Sequence, residues 1–304
     1  MANVLLGYRQ STDKRGNVII TYSHSTHQAL TDLGHTVTPL GEGHQYVSFD
    51  TLDAQVLKQQ DFFIDVDSGR NSKGDLSFHC YEERAPLPSA VRFIDTHGFP
   101  SYHKRAGRNY DHVFFAVWDK RDVFTHHKSV HWCPNASDAK YFYKDILQDD
   151  LKPIDIGFFG SKGGLSRASE MQAIAFRHKY TFDVREIGKD RNRWPQTAEA
   201  MARCKVLFNK GQKHDGPNQR VIESMLMERP LVSDRDLRDG MRLLFEEGEH
   251  YLGYGSESEL ANNVEWCFRE PSLAYGMAHR AYELVYEKHQ VKHRVQQILE
   301  VFGV

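Results

Sequence analysis

The sequence predicts an α/β protein made of two successive domains, each built on a parallel sheet. The opening segment shows the strand–helix–strand order of a parallel unit. NVLLGY is an apolar strand, a helical pattern ends at Gly34, and HTVTPLG is rich in β-branched residues. The same alternation starts again at Asp155 with DIGFF. At 304 residues, the chain is long for one domain and sufficient for two.

Short apolar runs predict the strands of the first half, and the segments between them predict helices. The predicted strands are 3–8, 35–41, 61–66, 90–94, 111–117 and 130–134, and the predicted helices are 18–33, 52–59, 105–109 and 119–126. The chain then leaves through Asn135 and Ala136 into a predicted helical linker.

The second half repeats the pattern and ends in helices. The predicted strands are 155–159, 180–187, 205–209 and one beginning at 231. The predicted helices are 166–177, 194–202, one capped by Asn218 and stopped by Pro230, 240–245, 256–267, one opened by Pro271 and a long amphipathic tract over 274–302. We therefore predict a first domain over residues 1–148, a second over 149–285 and a helical tail over 286–304.

Composition excludes several classes of protein. Net charge is −2 at pH 7, so the composition does not indicate a general affinity for nucleic acid. The same net charge is compatible with a local basic patch. The four cysteines are far apart and include no CxxC pair, which predicts free thiols rather than a disulfide framework or zinc knot. No apolar stretch has the length of a membrane span, and the N-terminal apolar run is too short for a signal peptide. We expect a cytoplasmic protein.

The most informative stretch is residues 206–234, VLFNKGQKHDGPNQRVIESMLMERPLVSD. It predicts a strand, a polar loop, a helix capped by Asn218 and a further strand after Pro230. Asp215 precedes the helix, and Glu223 lies within it, eight positions later. The two carboxylates can therefore point into one cleft.

Four segments resemble a known family. They are NVLLGY with LGHTVTPL, RFIDTHGFPSYHKRAGRNYDHVFFAV, PIDIGFFGSKGG, and KVLFNKGQKHDGPNQRVIESMLMERPLVSD with its downstream LLFEEGEHYLGYGSESELANNVEWCFREP. In this order the chain resembles a GT-B glycosyltransferase of the spore-protein type, related to the family-4 retaining glycosyltransferases. The resemblance implies two Rossmann-like domains facing a cleft. The acceptor side lies on the first domain, the nucleotide-sugar donor on the second, and a C-terminal helix crosses back to the first domain.

The resemblance also implies roles for the central carboxylates. Relatives carry E-x7-E where this chain has Asp215-x7-Glu223, with aspartate in the first position. Glu223 would hold the ribose hydroxyls of the donor, since a carboxylate accepts two hydrogen bonds. Asp215 would face the donor sugar, with a side chain one methylene shorter than the glutamate of the relatives.

The donor's diphosphate requires positive groups or a helix N-terminus. The glycine-rich turn after strand 155–159 provides backbone N–H groups and a lysine, and similar turns contact the diphosphate in the family. Lys210 and Arg220 are further phosphate candidates. The residues predicted to bind the donor are Glu223, Gly160, Ser161, Lys162, Asn209, Lys210, Asn218 and Arg220.

His97 and Asp95 end a strand of the first domain in the motif DTHG. This position lies at the carboxyl edge of the sheet, where open α/β folds bind ligands. In related enzymes a histidine here lies near the donor sugar. Asp95 would orient His97 or bind the acceptor. The catalytic candidates are therefore His97, Asp95 and Asp215.

The predicted reaction transfers a sugar from a nucleotide-diphosphate-sugar to a hydroxyl acceptor, with retention and with neither metal nor cofactor. The acceptor would be a carbohydrate, a protein or modified DNA. Two alternatives remain. One is a phage-type transferase acting on hydroxymethylpyrimidine bases in DNA, for which the Lys and Arg residues between 104 and 128 are suggestive. The other is a catalytically silent GT-B protein that binds a sugar or nucleotide. Oligomeric state, sugar and base do not follow from the sequence.

Overall fold

The computed structural model describes residues 1–10, 12, 16–66, 84–146, 154–160, 166–186, 194–211, 216–235 and 238–304. The chain forms two compact units. Unit 1 comprises Met1–Pro134 with Val291–Val304, and unit 2 comprises Asn135–Gln290.

Unit 1 is built on a six-stranded parallel sheet. Its strands are β1 (Asn3–Gly7), β2 (Thr36–Leu40), β3 (Phe62–Val66), β4 (Ser89–Phe93), β5 (His112–Phe115) and β6 (Val130–Trp132). They pair in the order β2-β1-β3-β4-β5-β6, and every pairing is parallel. β3 and β4 are buried along their whole length, as expected of central strands in a parallel sheet.

The helices within residues 1–134 of unit 1 are α1 (Tyr22–Asp32), α2 (Ala54–Lys58) and α3 (Pro100–Ala106). α1 begins four residues later than Val18, where the sequence predicted it. The reason is local: Thr21 is extended and its hydroxyl caps the helix by accepting from the backbone N–H of His24 at 3.2 Å, while Val18 pairs in a bridge with Thr12.

Unit 2 is built on a five-stranded parallel sheet. Its strands are β7 (Ile154–Gly160), β8 (Phe182–Glu186), β9 (Cys204–Asn209), β10 (Leu231–Asp234) and β11 (Leu252–Tyr254). They pair in the order β11-β10-β9-β7-β8. Its helices are α4 (Ser169–His178), α5 (Trp194–Ala202), α6 (Gln219–Leu226), α7 (Arg238–Leu244), α8 (Glu257–Arg269) and α9 (Pro271–Lys288).

The predicted helical linker after Asn135 is wrong within residues 135–146. This segment contains turns and one short 3-10 helix, Lys144–Ile146. It is instead held by packing on unit 2, because the rings of Tyr141 and Phe142 lie 5.7 and 5.5 Å from that of Trp194. These contacts place residues 135–146 in unit 2, whereas the sequence assigned them to the first domain.

The predicted helical tract over 274–302 is two helices, α9 and α10 (Val291–Glu300), separated at His289 and Gln290. Gln290 holds the break, since its side-chain oxygen accepts from the backbone N–H of Ala139 at 3.3 Å. α10 packs within unit 1, where Arg294 Nε donates to the carbonyl of Pro134 at 3.1 Å. The return of the C-terminal helix to the first domain is therefore confirmed.

Both sheets have a point where the strand order reverses, between β1 and β3 in unit 1 and between β7 and β9 in unit 2. In open α/β sheets, ligands bind beyond the carboxyl ends of the strands at this topological switch point. The end of β7, the end of β9 and the start of α6 are therefore where a ligand of unit 2 is expected.

Candidate functional site

Arg220 is the central cation at the switch point of unit 2. It lies in the first turn of α6, and its side chain turns back to the sheet. Nε donates to the carbonyl of Phe159, Nη1 donates to Asn209 Oδ1 at 2.7 Å, and the guanidinium carbon lies 4.4 Å from the ring centre of Phe158. The guanidinium is thus fixed between the ends of β7 and β9 and does not extend into solvent.

Gly160 makes this placement of Arg220 possible. A Cβ added at Gly160 would lie 3.0 Å from Arg220 Nη2 and 3.0 Å from the ring of Phe158. A side chain at position 160 would therefore crowd the guanidinium. Gly160 leaves room for Arg220 in this way, and its contact with the donor stays a prediction.

A second guanidinium, that of Arg167, lies near the first. Arg167 Nη1 donates to the carbonyl of Lys210 at 3.2 Å. Burial, and then the positive charge of Arg167, lower the pKa of Arg220 to about 10, against the charges of Glu223 and Asp234, which raise it. Within the described residues, the hydrogen bonds of both guanidinium groups go to neutral oxygens. Two like charges near each other, with no carboxylate hydrogen-bonded to either within the described residues, are an arrangement that suits an anion.

Glu223 lies one turn further along α6 and is 6% exposed. Burial raises the pKa of its carboxyl to about 7, although the positive charge of Arg220 and a hydrogen bond from the Gln219 side chain favour the carboxylate. Desolvation therefore outweighs attraction. A buried carboxylate with a pKa this high is stabilised by any ligand that donates hydrogen bonds to it.

Two asparagines connect β9 to the start of α6. Asn218 caps α6, since its Oδ1 accepts from the backbone N–H of Val221 at 3.3 Å, and its Nδ2 donates to Asn209 Oδ1 at 3.1 Å. Asn209 Nδ2 donates in turn to Ser233 Oγ on β10 at 2.9 Å. The sequence prediction of Asn218 as the cap is confirmed.

Lys210 and Asp234 complete the described surroundings. The ammonium of Lys210 lies 2.5 Å from the carboxylate of Glu170 on α4, so a phosphate would compete with that carboxylate for the lysine. Asp234, at the end of β10, accepts from the backbone N–H of Gly211 at 3.0 and 3.1 Å. The loop after β9 is therefore attached to both neighbouring elements.

Three predicted residues, Ser161, Lys162 and Asp215, lie outside the described residues. Their assignments to the diphosphate and the donor sugar stay predictions.

The two catalytic candidates of unit 1 lie in the turn after β4. Asp95 is exposed, His97 is half-buried, and the backbone N–H of Gly98 donates to the carbonyl of Asp95 at 3.0 Å. Next to them, His103 is buried, and its Nδ1 lies 3.2 Å from Thr96 Oγ1. Burial, and then the charge of His97, lower the pKa of His103 to about 3, so His103 is neutral at neutral pH. The catalytic roles of Asp95 and His97 stay predictions.

Sequence reasoning missed Arg167 and Asp234. Each had a signal. Arg167 comes shortly after the glycine-rich segment in GSKGGLSR, where a helix was predicted to begin. Asp234 ends the strand LVSD at the carboxyl edge of the sheet. Neither signal shows which way the side chain points.

Across the residues that the structure describes, no helix combines the length and apolarity needed to cross a membrane. Within the same residues, no group of three or more His, Cys, Asp or Glu side chains is arranged to hold a metal ion.

Two parallel-sheet α/β units, with the C-terminal helix returned to the first, define the GT-B fold of glycosyltransferases. Solved structures with this fold match the whole chain at low identity. Sucrose-phosphate synthase from Thermosynechococcus elongatus has a TM-score of 0.64 at 10% identity, covering 100% of this chain and 98% of that one. Anabaena HepE, solved with UDP and glucose, has a TM-score of 0.60 at 14% identity, covering 100% of both chains. A glycosyltransferase from Rickettsia africae has a TM-score of 0.61 at 11% identity, covering 99% of this chain and 97% of that one.

The family comparison locates a sequence match in the second unit and the tail. Residues 167–300 match the family described as "Glycosyl transferase-like". No curated protein matches the chain. The chain therefore has the GT-B fold, and its residues 167–300 are similar to a glycosyl transferase-like domain. The resemblance to GT-B glycosyltransferases is confirmed, and the narrower spore-protein type stays a prediction.

Proposed function

We propose that this protein is a glycosyltransferase whose unit 2 binds a nucleoside-diphosphate-sugar and whose reaction transfers the sugar to a hydroxyl acceptor. The observation that carries the proposal is the pair of guanidinium groups of Arg167 and Arg220 at the switch point, with the carboxyl of Glu223 on the same helix as Arg220. The pair matches a diphosphate, and the buried carboxyl matches the ribose hydroxyls.

The guanidinium pair suits the chemistry of the leaving group. When the anomeric carbon–oxygen bond breaks, negative charge grows on the phosphate oxygen that leaves. Fixed positive groups in a site of low polarity stabilise that charge without reorganising. Arg220 is fixed in this way by the carbonyl of Phe159, by Asn209 and by the ring of Phe158.

We further propose that the reaction proceeds with retention and without a metal ion. The acceptor oxygen forms the new bond to the anomeric carbon on the face from which the diphosphate leaves. The acceptor's proton moves to a phosphate oxygen of that diphosphate. This proposal needs no protein nucleophile, and it rests on the resemblance to retaining relatives.

The donor nucleotide to test first is UDP, because HepE was solved with UDP-glucose, UDP, and UDP and glucose. The acceptor class remains as predicted from the sequence: a carbohydrate, a protein or modified DNA.

The test combines binding and turnover. Titration calorimetry with UDP, GDP, ADP and dTDP should show one preferred nucleotide. Incubation with the matching nucleotide sugars should release that nucleotide, with the anomeric configuration of the product read by NMR. Binding without release in the presence of sugar, protein and hydroxymethylated-DNA acceptors would favour the silent protein. Failure to bind any of the four nucleotides would refute the proposal.

A pair of arginine variants tests the site itself. Arg167→Gln removes one guanidinium, and a hydrogen bond to a charged group contributes about 1.5–3 kcal/mol, so nucleotide affinity should fall by about tenfold or more. Arg177→Gln is the matched control, because Arg177 is an exposed arginine on α4 that pairs with Glu257. Equal effects of the two variants would remove Arg167 from the site.

A further inference from the structure

We propose that Asn209 is a positioning residue that keeps the charge of Arg220 available to a phosphate group. The buried side-chain amide of Asn209 fixes the guanidinium of Arg220, and because the amide is neutral, it does so without pairing the guanidinium with a hydrogen-bonded carboxylate. This inference rests on the proposed binding of a nucleoside diphosphate. It gives Asn209 a different role from the sequence prediction that Asn209 itself contacts the donor, which stays a prediction.

The contacts of Asn209 determine which way its amide points. Oδ1 accepts from two donors, Arg220 Nη1 at 2.7 Å and Asn218 Nδ2 at 3.1 Å. An NH₂ group could accept neither bond, so the oxygen must face α6. Nδ2 consequently faces β10 and donates to Ser233 Oγ at 2.9 Å, and Ser233 is the residue opposite Asn209 in the parallel register.

Asn209 is fully buried, and so is Ser233. With its oxygen used by two protein donors and its NH₂ group directed at a buried serine, the side chain acts on a ligand through Arg220. The same oxygen also holds the cap of α6 through Asn218. Asn209 therefore sets the position of the guanidinium and the start of the helix that carries it.

The neutrality of the side chain is the specific point. Aspartate has nearly the same shape and could accept the same two hydrogen bonds. However, a carboxylate 2.7 Å from Arg220 Nη1 would form an ion pair with it, and in a buried setting such a pair is strong. The guanidinium would then be neutralised, and a phosphate would have to compete with the protein's own carboxylate.

Asn209→Asp is accordingly the discriminating variant. The Ser233 hydroxyl can rotate to donate to the new carboxylate, so every hydrogen bond of the cluster retains a donor and an acceptor. We expect the affinity for UDP and for inorganic pyrophosphate to fall by about tenfold or more, which corresponds to about 1.4 kcal/mol. The affinity for uridine, which has no phosphate, should stay within about twofold. The dependence of UDP affinity on salt should also weaken, because one cation is neutralised.

The matched control is Asn262→Asp, which adds the same charge at an exposed position on α8. It should leave the affinities for UDP and uridine unchanged. A second variant, Asn209→Ala, removes the oxygen without adding charge. It should weaken UDP binding by a few-fold while the salt dependence is retained, and it provides the test if the Asp variant does not fold.

The outcomes separate this inference from the proposed function. Wild-type protein that binds neither pyrophosphate nor any of UDP, GDP, ADP and dTDP overturns both. Wild-type binding with an Asn209→Asp variant of equal UDP affinity overturns the positioning role alone. The same conclusion follows if the affinities of the folded Asn209→Asp variant for uridine and for UDP fall in the same proportion, because general damage to the site has that result. It also follows if folded Asn209→Ala binds UDP with the affinity of the wild type.

Discussion

Glu223→Gln should stabilise unit 2 and weaken nucleotide binding at the same time. The carboxyl of Glu223 is 6% exposed, and burial raises its pKa from 4.5 to about 7. Glutamine has the same shape and carries no charge, so the substitution removes the free-energy cost of holding a buried carboxylate at high pH. As a single amide oxygen accepts fewer hydrogen bonds than a carboxylate, ribose should be held less tightly.

The magnitude follows from the two pKa values. A folded-state pKa above the unfolded value means that the folded protein binds the proton more tightly, so the wild type loses stability as pH rises from 4.5 through 7. At about 1.36 kcal/mol for each pKa unit, the charged carboxylate destabilises the fold by about 3 kcal/mol at pH 8. At pH 5 the Glu223 carboxyl is mostly protonated in the folded protein, and its destabilisation of the fold is about 1 kcal/mol or less.

Calorimetric unfolding between pH 5 and pH 8.5 provides the measurement. The unfolding transition of unit 2 should rise in temperature in the variant by roughly 5–10 °C at pH 8 and change little at pH 5. Other titrating groups, such as the buried His103, affect both proteins equally and cancel in the difference. Glu287→Gln, at an exposed position on α9, is the control and should leave the unfolding temperature unchanged at both pH values.

Nucleotide affinity supplies the second half of the test. UDP should bind the variant about tenfold or more weakly, and wild-type affinity should fall as pH drops below 7, because the ionised form of Glu223 binds the ribose. If the difference in stability between variant and wild type is the same at pH 8 as at pH 5, the buried carboxyl is not held at a high pKa. A variant with unchanged UDP affinity would remove Glu223 from the site.

Two further predictions concern packing. Phe302→Ala removes a ring that stacks on Phe62 with the ring centres 4.2 Å apart. Unfolding experiments should therefore show unit 1 destabilised by about 2 kcal/mol and the unfolding transition of unit 2 unchanged. A shift confined to unit 2 would contradict the assignment of the C-terminal tail to unit 1. Burial raises the pKa of the Cys204 and Cys267 thiols to about 12. Ellman's reagent should therefore label neither cysteine in the folded protein and both in denaturant, as read by peptide mapping. Rapid labelling of either cysteine in the folded protein would contradict their burial.

Local pattern predicted most of the fold because both sheets are parallel. The strands of such sheets are continuous apolar runs, and helices and strands alternate along the chain. α5 was predicted with the bounds that the structure shows, Trp194–Ala202, and the cap of α6 at Asn218 was predicted from residue type. The failures came where distant contacts override local preference. One was the segment held by Trp194, and another was the break that Gln290 holds between α9 and α10.

For the candidate site, the sequence by itself predicted which elements meet: the strand ends around Gly160 and Asn209 and the helix that carries Glu223, at the carboxyl edge of the sheet. Residue order is sufficient for this because parallel strands bring their carboxyl ends to one edge. Only the tertiary structure decided what each side chain does there. It placed Arg167 near Arg220, turned Asn209 inward between Arg220 and Ser233, and buried Glu223. Those roles depend on burial and on partners that are far away in the chain, and periodicity along a sequence contains neither.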